Sequence, residues 1–238
     1  MRRWGGWGER LRGCGGELGV TVLVSVWGAA PGIGKSTLCA GLSRSLVGAG
    51  LRVDHFREEE ILTRPQFGAV AEEFGATGAV GLETLVAATE RFVASVPAHG
   101  DDVVVADALV PFVPTLLAMG HGEETIATFM ADLTRVPAPV RPVVVLLDGD
   151  AGVALSRAGE REGPEWLDRY VGKLTAYEVT PPVSDLASAV TYLRREHAVT
   201  LGSVRGHGWG LVVVERADEL TPGEVLEAVG RGLEPWLP

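Results

Sequence analysis

The sequence predicts an α/β fold, a three-layer α/β/α sandwich with a five-stranded parallel sheet. Three observations lead there. Five runs rich in Val and Leu are apolar without alternating with polar residues, the pattern of strands buried on both faces. Stretches with apolar residues three and four apart separate them, as helices would. The first run enters a glycine-rich turn that opens directly into such a stretch, a strand–turn–helix unit.

Residues 1–19 are rich in glycine and arginine without periodicity, and are read as a disordered leader outside the fold. The first strand is Val20 to Trp27. Leu38, Leu42 and Leu46 then recur every four residues, marking a helix ended by Gly48 and Gly50. The second strand is Leu51 to Phe56. Leu82, Leu85, Val86, Thr89, Phe92, Val93 and Val96 form one helical face before the third strand, Val103 to Asp107. The loop Val136 to Pro142, with three prolines, delays the fourth strand, Val143 to Asp148. Trp166, Leu167, Tyr170, Val171 and Leu174 mark a further helix, and Ser184 is placed to cap one carrying Leu186, Val190 and Leu193. The fifth strand is Leu211 to Glu215, and Thr221, Pro222 and Glu224 form a capping box at the start of the last helix. No repeat or linker divides residues 20–238, so one domain is expected.

The turn after the first strand reads WGAAPGIGKST, Trp27 to Thr37, and fits the phosphate-binding pattern [AG]-x4-G-K-[ST] with Ala29 where glycine is more usual. Small residues let backbone N–H groups curl around a phosphate. A lysine ammonium can bridge two phosphates where a guanidinium would not fit, and a serine hydroxyl suits Mg²⁺. Lys35 is one of only two lysines in the chain, the other being Lys173, against nineteen arginines. Pro31, Gly32, Ile33, Gly34, Lys35, Ser36 and Thr37 are therefore the expected nucleotide-binding residues, for ATP with Mg²⁺.

Ligands of open parallel sheets bind beyond the carboxyl ends of the strands, which directs attention to acids there. The second strand runs into HFREEE, His55 to Glu60; the third ends at Asp107; the fourth ends at Asp148 and Asp150. Asp107 suits a Mg²⁺-water ligand, with Ser36, or a base toward a hydroxyl. Asp150 precedes a helix and reads as its N-cap.

The composition excludes other classes. A net charge of −10 over 238 residues argues against nucleic acid or an anionic membrane as partner. No apolar run approaches the roughly 20 residues of a membrane span, and a cytoplasmic location is expected. Cys14 and Cys39 form no disulfide framework, and the five histidines show no metal-ligand spacing. The chain has no asparagine, so the N-K-x-D motif of guanine-reading switches is absent.

Leu147 to Arg157, LDGDAGVALSR, resembles the L-D-x-D-x-x-x-A-L-x-R segment of thymidylate kinases, of which deoxynucleoside kinases carry a related version. Further similarities keep the same order: the phosphate loop, Arg57 and Glu58 where thymidylate kinases have T-R-E-P, Asp107 where they have D-R, and the closing ADELTPGEVLEAV. The resemblance spans about Val20 to Leu233. It implies a P-loop NTPase fold, an ATP-dependent kinase, a homodimer, and a lid whose arginines, here Arg157 and Arg161, close over the transferred phosphoryl group. It also makes Glu58 the counterpart of the deoxynucleoside kinase base, which leaves Glu58 and Asp107 both open for that role. Arg57, Phe67 and Phe112 are expected beside the acceptor.

The departures narrow the acceptor. Ala108 stands where the families have arginine, no P-G-G follows Glu58, and the single glutamine, Gln66, does not follow the third strand. These losses favour a hydroxyl of a nucleoside or nucleoside-like natural product over a nucleoside monophosphate. A nucleotide-binding protein without catalysis is the third reading.

Overall fold

The computed structural model describes residues 20–107, 112–136, 139–177 and 179–238. The expected leader lies outside them, as do Cys14 and Ala108. Five strands form one parallel sheet in the order β2-β3-β1-β4-β5: β1 (Thr21–Gly28), β2 (Val53–Phe56), β3 (Val103–Asp107), β4 (Val140–Leu147) and β5 (Gly210–Val214). Between them lie the helices α1 (Lys35–Gly48), α2 (Gly68–Thr77), α3 (Leu82–Ser95), α4 (Val113–Ala118), α5 (Glu123–Arg135), α6 (Ala151–Glu162), α7 (Pro164–Ala176), α8 (Leu186–Gly206) and α9 (Pro222–Leu233).

Period-two side-chain alternation feeds two cores from the same strands. Val22, Val24 and Val26 of β1 face Leu38, Leu42 and Leu46 of α1 and Val225, Val229 and Leu233 of α9. Leu23 and Trp27 face the other way, into a layer built on Phe92 of α3 and Ile126, Phe129 and Met130 of α5. Helices thus cover both faces. At 21 residues α8 reaches both layers, with Ala189, Tyr192 and Leu193 in the first core and Val204 in the second. No helix among the described residues is long and apolar enough to cross a membrane.

Several boundaries differ from expectation for physical reasons. β4 begins at Val140, three residues early, and includes Pro142. This is possible because β5 joins the ladder only at Val143, paired with Gly210, so the missing proline N–H faces no neighbour. β2 starts at Val53 because the Leu51 N–H still closes α1 on Leu46. The N-cap of α8 is Asp185 and not Ser184; its carboxylate accepts from the Ser188 N–H in a capping box. The Thr221–Glu224 capping box and the Asp150 N-cap form as expected.

Phe67 and Phe112 need correcting. They are 0% and 1% exposed, and Phe67 packs against Phe56, Phe92 and Phe112 at centroid separations of 5.5, 5.7 and 6.0 Å. Aromatic area of this size is worth most away from water. Both are core residues of the second layer, with no surface left for an acceptor.

Candidate functional site

The strand order sets the place of the site. From β1 the chain turns toward β2 and β3, whereas from β4 it turns the opposite way to β5, so the switch point of the sheet, where open parallel sheets bind their ligands, lies at the carboxyl ends of β1 and β4. The glycine-rich loop fills it. Ala29, at the usual glycine position, needs no glycine: its N–H continues the ladder to the Leu147 carbonyl at 3.0 Å. Gly32 does need to be glycine, having φ +88° and space for a Cβ only 2.1 Å from the Ala154 carbonyl oxygen of α6. Gly34, at φ +104°, forms the left-handed entry into α1, whose exposed first-turn residues Ser36 and Thr37 leave that helix end open. First-turn N–H groups lack intrahelical acceptors and carry the positive end of the helix dipole. Pro31 has no N–H and contributes only the turn. The Lys35 ammonium bends back to the Ala30 carbonyl at 3.3 Å, resting on its own loop.

Three carboxylates bring their fields to that ammonium: Asp107, Glu58 and Glu196. Burial lowers the Lys35 pKa, and the three acids oppose the shift. Asp107 ends β3 opposite Val26 and is 5% exposed; its Oδ1 is buried without a hydrogen-bond partner among the described residues. Glu58 opens a 3₁₀ turn after β2; the residue is exposed at the surface, yet partial desolvation of its carboxyl raises its pKa against the pull of Lys35 and Lys173. The charges of both lysines of the chain, on α1 and on α7, thus reach one glutamate.

Glu196 is the residue that sequence reasoning missed. Burial pushes its carboxyl up to about 7, with Tyr192 and Lys35 holding it down. Tyr192, one turn earlier on α8, is 1% exposed, and its hydroxyl faces the Glu196 carboxylate. Tyr170 of α7 feels the charge of Glu196 and stacks on Trp166 at 5.2 Å with an interplanar angle of 6°. A signal existed in the sequence: Glu196 falls three residues after Leu193, on the apolar stripe, where a charge needs a reason.

The same helix holds the end of β4. His197 meets Asp148 at 3.3 Å, and Arg194 meets Asp150 at 3.2 Å. Asp150 accepts from the Gly152 and Val153 N–H groups at 2.8 and 3.0 Å, bonds that keep its pKa below the usual carboxylate range. It is structural.

The remaining expected residues are not gathered at the cluster. Arg157 donates to the Asp218 carbonyl at 2.6 Å, beside the loop because α6 packs on Gly32, and Arg161 pairs with its neighbour Glu162 at 2.8 Å. Arg57 is exposed. Arg64 is committed to Asp54 at 2.8 Å and Glu60 at 2.9 Å and lies over the Phe56 ring.

The set fits Mg-ATP by its chemistry. An open helix end and a lysine suit phosphates, while an unpartnered buried carboxylate and the Ser36 hydroxyl suit the hydration shell of Mg²⁺. Among the described residues there is no cluster of three or more His, Cys, Asp and Glu that could hold a metal by itself. A Mg²⁺ here would therefore depend on phosphate oxygens and waters. No protein-family model and no curated protein matches this chain.

Proposed function

We propose that the protein is an ATP-dependent small-molecule kinase, a divergent relative of the thymidylate and deoxynucleoside kinases, that phosphorylates a hydroxyl of a nucleoside-like acceptor. The observation that carries this reading is that Lys35, within the fields of Asp107 and Glu58, lies at a glycine-rich helix N-terminus at the switch point of the sheet. Mg-ATP would supply the γ-phosphoryl group, transferred to the acceptor oxygen as the bond to the bridging oxygen of ADP breaks.

The chain's own part is positioning and charge. The loop N–H groups and Lys35 would hold the phosphates; Ser36 and Asp107 would orient waters of Mg²⁺. Glu58 would take the proton from the acceptor hydroxyl, and its raised pKa makes it a better base than a free glutamate. Arg157, on the helix that packs against Gly32, would have to release the Asp218 carbonyl to approach developing charge.

The acceptor is inferred from what surrounds the base. A phosphate acceptor needs fixed cations, yet Arg64 is held by two carboxylates and the acids around Lys35 outnumber the lysines. A hydroxyl acceptor asks for none. Acceptor-dependent ADP release, screened across nucleosides, nucleoside monophosphates and hydroxylated natural products, tests the reading. Wild type is expected to turn over at least one hydroxyl acceptor, and Lys35→Met to abolish turnover without unfolding; a Lys35→Met enzyme within a few-fold of wild type would refute the proposal.

A further inference from the structure

Two side chains of α8, three residues apart, hold the two ends of the turn Asp148–Asp150 between β4 and α6. His197 Nε2 lies 3.3 Å from Asp148 Oδ1, and Arg194 donates to Asp150 Oδ2 at 3.2 Å. The turn is wedged against the glycine-rich loop: a Cβ added to Gly149 would lie 3.0 Å from Ile33 Cδ1 and 2.5 Å from Asp218 Oδ1. Backbone bonds tie it in place. The Leu147 carbonyl accepts from the Ala29 N–H at 3.0 Å and the Asp148 carbonyl from the Ala217 N–H at 2.7 Å, while α6, which starts from the turn, sets the Ala154 carbonyl against Gly32. A shift of the turn therefore shifts what Gly32 and Ile33 rest on.

The two contacts differ in kind. Arg194 and Asp150 are both largely exposed and permanently charged, whereas the His197 side chain is 15% exposed and can gain or lose a charge. Burial holds its ring below the ordinary value, and Asp148 opposes that shift. Among the described residues Asp148 is the charge that acts on this ring. α4 and β5, which pack on α8, bring no titratable side chain; Glu123 of α5 faces Arg195 at 3.8 Å, Asp150 before α6 is taken by Arg194, and on α7 Tyr170 and Lys173 interact with Glu196 and Glu58. A neutral ring offers Asp148 one N–H bond, and an imidazolium makes the same bond charge-assisted. We propose that His197 is a positioning residue for nucleotide binding: through Asp148 it holds the β4–α6 turn against the glycine-rich loop, more firmly as imidazolium than as neutral imidazole. The inference rests on the nucleotide-binding part of the kinase reading. By reciprocity, a nucleotide that needs the turn in place must also favour protonation of His197. Asp148 is half exposed, so the coupling is modest, about two- to fivefold in affinity.

Calorimetric titration of Mg-ADP into wild type, His197→Gln and Asp148→Asn at pH 5.5, 6.5 and 7.5 tests it. His197→Gln keeps an N–H donor near the Nε2 position but cannot titrate, and Asp148→Asn keeps the shape and backbone bonds of the turn. The ratio of variant to wild-type Kd, in which the nucleotide's own pH dependence cancels, is expected to rise about two- to fivefold from pH 7.5 to pH 5.5 for both variants. In wild type, Mg-ADP should move the NMR titration midpoint of the His197 ring to higher pH. A histidine that only supports the fold would lower Tm and leave both readouts unchanged. A ratio that stays flat with pH in the folded variants, or a midpoint that Mg-ADP does not raise, overturns the inference; the midpoint, read in wild type, decides even where a variant does not fold. Wild type is titrated first: if it binds Mg-ADP without these signatures, only the role of His197 falls, and if it does not bind at any pH, the kinase reading falls with it.

Discussion

At the scale of single residues, Glu196 makes a prediction that needs no substrate. Its carboxyl titrates near 7 in the folded protein against an ordinary value of 4.5, because burial disfavours its charge. The folded state therefore binds more protons than the unfolded chain between those two values, so stability falls as pH rises across that window. At about 1.4 kcal/mol per unit, the loss amounts to at most about 3.5 kcal/mol, less to the extent that solvent reaches the carboxylate. Glu196→Gln should flatten the decline, measured by urea unfolding at several values from pH 5 to pH 8. Parallel pH profiles for the two proteins would show that Glu196 is not the source. Lys35 and Asp107 were legible from the sequence because each ends or follows a strand in a recognisable pattern. Glu196 was not, since it reaches the site from a helix 161 residues along the chain after Lys35, a proximity that only the tertiary fold creates.

At the scale of elements, the loop between β1 and α1 can be tested through two of its glycines, which differ in kind. Gly34 has a positive φ but open space around its missing Cβ, whereas Gly32 has both a positive φ and the Ala154 backbone 2.1 Å away. An alanine at 34 pays conformational strain alone, on the order of 1–2 kcal/mol. At 32 it must also push α6 away from the loop, which adds roughly 1–3 kcal/mol of overpacking. Gly32→Ala is expected to unfold at lower denaturant than Gly34→Ala and to bind Mg-ADP more weakly; the reverse order would mean that α6 does not brace the loop. The elements themselves were readable from sequence wherever burial is two-sided, as in β1 and β3, and wherever a cap has one obvious partner, as in Thr221–Glu224. They were misread where neighbours decide. Pro142 belongs to a strand only because β5 starts one residue later in the register, and Asp185 displaces Ser184 as cap because Ser188 can answer it. Phe67 and Phe112 show the same limit: an aromatic residue near a strand end fits a pocket or a core equally well until its neighbours are known.

At the scale of the whole molecule, the sequence carried the layer architecture because both strand faces and one face of most helices are apolar, but strand order depends on which connections cross. That order, β2-β3-β1-β4-β5, puts the glycine-rich loop on the central strand. β1 is flanked by β3 and β4 and feeds both cores, so it belongs to the part of the fold expected to open only on global unfolding. A ligand held by the loop should therefore stabilise the entire domain and not a local segment. For a single site occupied at a hundredfold excess over its Kd, linkage gives about 2.7 kcal/mol. In a domain of this size each kcal/mol raises Tm by roughly 2–4 °C, so Mg-ADP is expected to shift a single unfolding transition upward by roughly 5–11 °C. Lys35→Met should lose most of that shift while keeping a ligand-free Tm close to wild type, since the ammonium rests on its own loop and its burial is unfavourable to its charge. Scanning calorimetry with and without millimolar Mg-ADP decides it: a Tm that does not move, or a shift confined to one of two separate transitions, would remove the loop from its place as the nucleotide-binding centre of a single cooperative fold.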